Sequence, residues 1–464
     1  MTTYFQHLRK HFTLHEISGS LGDLGTLLPI MISLGISGQI DLTSTLWFTG
    51  IWNILSGFLF RVPVCVQPMK AIAAVVLAKN MTIQENMAAG LSVGMLVFFL
   101  GITRTIHLVG TFTPAAVIKG KFHTSCLQLG TAIQLIIKAH KLVPDLKWEI
   151  DASNWADNNV WILLSFIFVV ACYRTKIPSA LILFIVGLIF ALILMFVVHA
   201  NKNLPRPSVV GGHYPHTVIV PSPEEFRNGF LNAGLGQLPL TSLNSVIALC
   251  ALIDELFPQR HATTSHVAVS VGLMNLIGCW FGAMPVCHGS GGLAGQYRFG
   301  ARSEVSVIFL GCCKLLLGIL FGSSLVGLLK LFPTSILAVM LFISGVELGC
   351  AARSLNDNIV DESIKRENFV IMLLTTGSLV AYSNDGIGFV AGLASACLLS
   401  IQRLGFVGWA NSTWAATQSI PRVWKYQGPQ LPVTMPQHHE ETIPVSDPTT
   451  SKIVAYNSAD NTNK

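Results

Sequence analysis

Two short stretches gather the residues best suited to hold a ligand. The first reads Arg61-Val-Pro-Val-Cys-Val-Gln-Pro-Met-Lys-Ala-Ile-Ala-Ala74, the second Met284-Pro-Val-Cys-His-Gly-Ser-Gly-Gly292. Val62 to Val66 is β-branched and limited by proline, which suits a short extended piece. Pro68 suits the first turn of a helix, where its missing N–H costs nothing, and Ala71 to Ala78 continues that helix. In the second stretch Met284 to His288 is extended and Gly289-Ser-Gly-Gly292 opens a helix. Each stretch thus predicts a helix start behind extended chain. The free N–H groups and positive dipole end of such a start attract an anion. Gly289, Gly291 and Gly292 permit close backbone approach, and Ser290 adds a hydroxyl. Gln67 is a direct donor, with Met69 beside it. Lys70, about one turn into its helix, adds positive charge, unless it only snorkels or binds a helix carbonyl. His288 would donate or carry a proton, with a satisfied structural histidine as the equal alternative. The alternative for the glycine run is close helix packing.

These stretches sit in a chain of 464 residues that is 52% apolar and only 11% charged. Soluble domains carry roughly a quarter charged residues, so the composition predicts an all-α polytopic membrane protein. A span needs roughly 20 mainly apolar residues. Candidates lie at 16–36, 44–60, 63–79, 84–103, 115–137, 160–173, 179–199, 228–252, 265–282, 284–300, 303–322, 331–350, 367–382 and 385–403. The segments at 63–79 and 284–300 are short, begin with Pro and carry Gly or polar residues midway. An even number of spans puts both termini on one side. Lys and Arg are more numerous in the loops of that side (Arg61, Arg174, Arg260, Arg353 and Arg403 among them), which predicts cytosolic termini.

The same composition excludes several functions. The net charge of +6 is spread without a basic block, so nucleic acid is not a partner. The ten cysteines lie mostly in apolar runs and read as small hydrophobes. No cofactor or metal motif occurs, and no set of nucleophile, base and orienting residue marks an enzyme.

The chain also repeats itself. Leu21-Gly22-Asp23-Leu24 matches Leu235-Gly236-Gln237-Leu238, and Pro63-Val-Cys65 matches Pro285-Val-Cys287. Phe112-Thr-Pro114 through Leu129-Gly130 resembles Phe332-Pro-Thr334 through Leu348-Gly349. The common offset is near half the chain and holds about seven spans. An odd number inverts the second copy, which predicts a 7+7 inverted repeat. Its expected divisions are a cytosolic lead at 1–15, the first repeat at 16–200, a loop at 201–227, the second repeat at 228–404 and a flexible polar tail at 405–464. In an inverted repeat the two helix starts face each other at membrane depth, and a tetrahedral dianion between them would meet N–H groups from both sides. Asp23, Thr26 and Gln237 would line the same cavity. Asp23, Glu347 and His288 are the candidates for proton coupling; Gln128 is the repeat partner of Glu347, and helix–helix hydrogen bonding is the plainer role for both pairs.

Gly22-Asp-Leu-Gly-Thr26, Pro63 through Ala74 and the long run from Pro285 to Arg302 resemble the eukaryotic molybdate-transporter family, a branch related to the SulP sulfate transporters. The resemblance covers about residues 12–405, with Cys65 as a mild departure. It implies molybdate uptake and the fourteen-helix fold shared with SulP and nucleobase carriers. In that fold a core of spans 1–4 and 8–11 slides against a gate of spans 5–7 and 12–14, often within a homodimer. SulP sulfate transporters typically end in a folded STAS domain, whereas about sixty residues follow the last span here, which favours the molybdate branch. The expectation is a secondary transporter importing molybdate through the plasma membrane or a vacuolar or endomembrane bilayer. Sulfate or another oxyanion is the alternative cargo or a competitor, and a membrane sensor that moves nothing is the rival class.

Overall fold

Helices that are apolar on every side have no stable place in water, and several helices of this chain are of that kind. The computed structural model describes residues 6, 11–106, 121–151, 154–173, 175, 179–202, 212–322, 324–354, 359 and 361–418. Five of its helices are long and apolar enough to cross a membrane. Large apolar side chains such as Phe58, Phe99, Leu163, Leu373 and Leu398 stand exposed on the outer surface, where lipid would cover them.

The first half opens with α1 (Leu14–Ser20), a 3-10 turn (Leu21–Asp23) and α2 (Leu24–Ile36). The span predicted at 16–36 is therefore broken at its Gly-rich centre. Next come α3 (Leu42–Phe60), β1 (Val66–Pro68), α4 (Lys70–Lys79) and α5 (Ile83–Ile102). Caps set several ends. Asp41 Oδ1 accepts from Ser44 N at 2.6 Å, and Thr82 forms a capping box with Glu85. Then follow α6 (Lys121–Lys141), α7 (Asn159–Cys172) and α8 (Ser179–Lys202). Phe112 to Pro114, most of the 1–15 lead, residues 203–211 of the inter-repeat loop and the tail beyond residue 418 lie outside the described residues.

The second half begins with α9 (Pro223–Leu256), capped by a Ser222–Glu225 box and widened by π turns at Phe230–Gly234 and Thr241–Ile247. It continues with α10 (Thr264–Gly278), β2 (Val286–His288), α11 (Ser290–Arg298) and α12 (Val305–Leu320). A short α13 (Ser324–Leu329), absent from the sequence expectation, precedes α14 (Thr334–Gly349), α15 (Glu362–Tyr382) and α16 (Asp385–Gln418). Helices of the two halves pack in cross-pairs, α3 on α12, α5 on α10 and α6 on α14. Where α3 meets α12, a Cβ on Gly50 would stand 2.8 Å from Leu315 N and 2.9 Å from Gly311 O. Only a missing side chain lets the backbones approach so closely.

Candidate functional site

The two extended pieces find each other. β1 and β2 pair antiparallel, with Val66 opposite His288, Gln67 opposite Cys287 and Pro68 opposite Val286. Met69 N donates to Pro285 O at 2.9 Å, so the chain stays extended one residue longer than the sequence suggests. Pro68 consequently ends the strand instead of opening the helix, and Lys70 takes the first helical position instead of lying a turn further in.

A two-stranded ladder this short needs outside partners for its edges. Asn53 Oδ1 accepts from Val66 N at 2.8 Å. Asn275 Oδ1 accepts from Val286 N at 2.8 Å, and its Nδ2 donates to Val286 O at 2.7 Å. Each asparagine stands ten residues before the proline of its copy, Pro63 or Pro285. That equal spacing is the signal that would have found them.

Alternation along the strands decides which side chains meet the cavity. Gln67 and Cys287 share the face that lines a cavity of about 1040 Å³, which Pro68 also reaches where the strand ends. Val66 and His288 share the other face. His288 is fully buried there, edge-on to Phe60 and 3.0 Å from Ser270 Oγ, away from the cavity. Beyond the strands, α4 and α11 start at the same cavity, with Lys70, Ala71, Gly289, Ser290 and Gly291 on its wall.

The two helix starts are unlike. A Cβ on Gly291 would meet nothing within 4 Å, so the backbone of α11 lies open to the cavity. Ser290 Oγ donates to Asn244 Oδ1 at 2.7 Å. At α4 the N–H groups of Ala71 and Ile72 already donate to Gln237 Oε1, at 3.1 and 3.4 Å. Gln237 Nε2 in turn donates to Thr241 Oγ1 at 2.9 Å. The amide expected to donate to an anion instead caps a half-helix. Gln237 and Asn244 lie two turns apart on α9, at its π-widened stretch, and each serves one helix start. Asn244 was missed because nothing in its local sequence distinguishes it from a packing residue; the π turn that aims it is a tertiary outcome.

The remaining candidates separate by position. Met69 is buried in the core and does not line the cavity. Gly292 also lies off the wall: a Cβ there would overlap the Gln67 amide and Cys65 Sγ, so it acts as the recess into which Gln67 packs. Gln128 and Glu347 line the cavity from α6 and α14, and Glu347 is exposed rather than buried. Asp23 closes the 3-10 turn and Thr26 lies early in α2, while their side chains fall outside the described residues. Among the described residues no cluster of His, Cys, Asp or Glu has a metal-binding arrangement.

From the helix starts the cavity runs to Tyr173, Thr175, Ser179, Arg298 and Cys350. These residues stand at the ends of α7, α8, α11 and α14 on one face of the molecule. Phe166 and Phe342 form part of its wall across from the strands.

An open, electropositive helix start within a membrane-embedded helical fold fits an anion, and the fold has been seen in such proteins. It resembles the transmembrane domain of a cyanobacterium bicarbonate transporter, BicA, with a TM-score of 0.54 and 16% identity over 83% of this chain and 98% of that one. It also resembles the murine solute carrier 26 family member A9 anion transporter in its inward-facing state, with a TM-score of 0.58 and 14% identity over 86% and 70%. At such identities the likeness is one of fold. The molecule thus has the fold of these membrane anion transporters. A family model described as "Molybdate transporter of MFS superfamily" matches residues 15–135 and 229–348, two stretches that begin 214 residues apart, the offset between Leu21 and Leu235. The chain is 38% identical to Molybdate transporter 1 of Arabidopsis thaliana, covering 82% of this chain and 86% of that one. It is 36% identical to Molybdate transporter 2 of the same plant, over 84% and 88%, and 31% identical to Molybdate transporter 1 of Chlamydomonas reinhardtii, over 90% and 96%. The chain belongs to the molybdate transporter family.

Proposed function

We propose that the chain is a secondary transporter that imports molybdate, holding the anion where α4 and α11 begin. The observation that carries this reading is the antiparallel pairing of β1 with β2, which brings both helix starts to one cavity. Ser290 and Gly291 present backbone N–H groups, and Gln67 donates from its side chain. The Ser290 hydroxyl turns its one proton from Asn244 to the anion while the Asn244 amide reverses to donate its Nδ2 to Ser290 Oγ, and Lys70 supplies the cationic balance. An arriving dianion competes with Gln237 for the N–H groups of Ala71 and Ile72.

The fourteen-span, 7+7 inverted arrangement belongs to the same proposal. In it α1 to α5 and α9 to α12 form a core that carries the anion past a gate made of α6 to α8 and α13 to α16. The cavity opens on the face that bears the start of α1, which fits a carrier waiting on the side of its termini, the cytosol in this reading. Proton coupling remains part of the proposal, with Asp23 and Glu347 as the candidates, Glu347 on the cavity wall. Homodimer formation and residence in the plasma membrane or an endomembrane are proposed on the same family grounds.

Uptake of labelled molybdate into a transport-deficient host tests the reading. The wild-type chain raises uptake above the empty-vector level, and Gln67→Ala and Ser290→Ala reduce it at equal membrane abundance. Uptake no higher than the empty vector, or variants equal to wild type, would overturn it. Molybdate and sulfate share charge and shape, so a modest excess of sulfate that abolished uptake would transfer the assignment to sulfate.

A further inference from the structure

On the face opposite the cavity mouth, core and gate meet through polar side chains. Lys79 at the end of α4 donates to Asn232 Oδ1 of α9 at 2.8 Å, and Asn384 Nδ2, from the turn before α16, donates to the same oxygen at 3.1 Å. Asp385, at the first position of α16, is fully buried beside this cluster. Neither of its carboxyl oxygens has a hydrogen-bond partner among the described residues. Its Cβ occupies the space that a side chain on Gly236 would need, one residue from the Gln237 cap. An ionised carboxylate without donors is costly in such a place, and a proton removes that cost.

The charges around it are few. Lys79 is the cation that faces Asp385, but it is held by Asn232 and makes no ion pair with Asp385 among the described residues. On α6 the nearby end carries Lys138, His140 and Lys141, with Lys138 reaching Asn80 Oδ1 at 3.5 Å. On α15 the adjoining end offers Tyr382, which is exposed. The stretch of α9 against α16, residues 230–240, holds no titratable side chain.

We infer that Asp385 is a proton-operated latch: a proton taken from the solution on the closed face lets core and gate seal around it, and its loss to that solution accompanies their parting. The inference rests on the transport reading above and adds to it a pH control at a residue outside the anion site. Acid on the closed face then speeds passage to the state with the cavity open on the other side.

Two measurements test it. Infrared spectra of the purified protein read the C=O stretch of a protonated carboxyl. The wild-type minus D385N difference should hold such a band, which weakens as pH rises and shifts in D385E. In proteoliposomes, acidifying the closed face should accelerate molybdate uptake several-fold in wild type, whereas D385N, which has no proton to lose when the faces part, should turn over slowly and show no response to acid. Absence of the band at every pH, or an intact acid response in D385N, would overturn the latch. If wild type moved no molybdate the transport reading would fail, and the infrared band alone would decide whether Asp385 holds the proton.

Discussion

Ser290 and Gly292 are neighbours in one glycine run and do different work. The Ser290 hydroxyl proton rests on Asn244 Oδ1 and turns to the anion when one is bound, so Ser290→Ala removes that one donor. A loss of about 0.5–1.5 kcal/mol follows, roughly two- to tenfold in molybdate affinity by calorimetry. Asn244→Ala should cost a similar amount, and the double variant little more than either single one, because the two residues share one contact. Gly292→Ala places a methyl where the Gln67 amide packs and should lower affinity more than Ser290→Ala; equal affinity would show that Gln67 does not touch the anion. Gln67, Lys70 and Ser290 were legible in the sequence because donor-bearing types stood at two repeated, Pro- or Gly-broken sites. His288 and Met69 were not separable from them. Which face a strand residue takes depends on register with a partner more than two hundred residues away, and a one-residue difference reverses it.

The paired strands are the smallest elements of the molecule and depend most on others. Asn275 satisfies both the N–H and the C=O of Val286, and Val271 O accepts from the same side chain at 2.8 Å. Asn275→Ala orphans two buried backbone groups at about 1–3 kcal/mol each. Thermal unfolding of the purified protein should fall clearly, and molybdate affinity with it, because the start of α11 loses its anchor. Asn53→Ala removes one such bond, to Val66, and should destabilise less. If Asn275→Ala melted like wild type, the strand would be held by the pairing alone. Element ends with Ser, Thr or Asp caps followed by acidic residues, such as Thr82 with Glu85 and Ser222 with Glu225, could be read directly. The π turns of α9 could not, since hydrophobic periodicity is blind to one extra residue per turn.

At the scale of the whole molecule, one face is open and the other closed by contacts between the proposed core and gate. Asn232 and Asn384 touch across that closed face at 3.1 Å. If the core must slide past the gate for the cavity to open there, a covalent tie between these positions stops transport while leaving the present cavity intact. The test replaces Cys172, Cys312, Cys313, Cys350 and Cys397, the cysteines that are not buried, by Ser. N232C and N384C are then joined by a short reducible cross-linker. Molybdate binding to the purified, cross-linked protein should persist, uptake should vanish, and reductant should restore it. Full uptake by the cross-linked protein would mean that the anion crosses without separation of these two faces. A loss of binding together with uptake would place the anion site under the control of the closed face, through Gly236 and the Gln237 cap that lies between them.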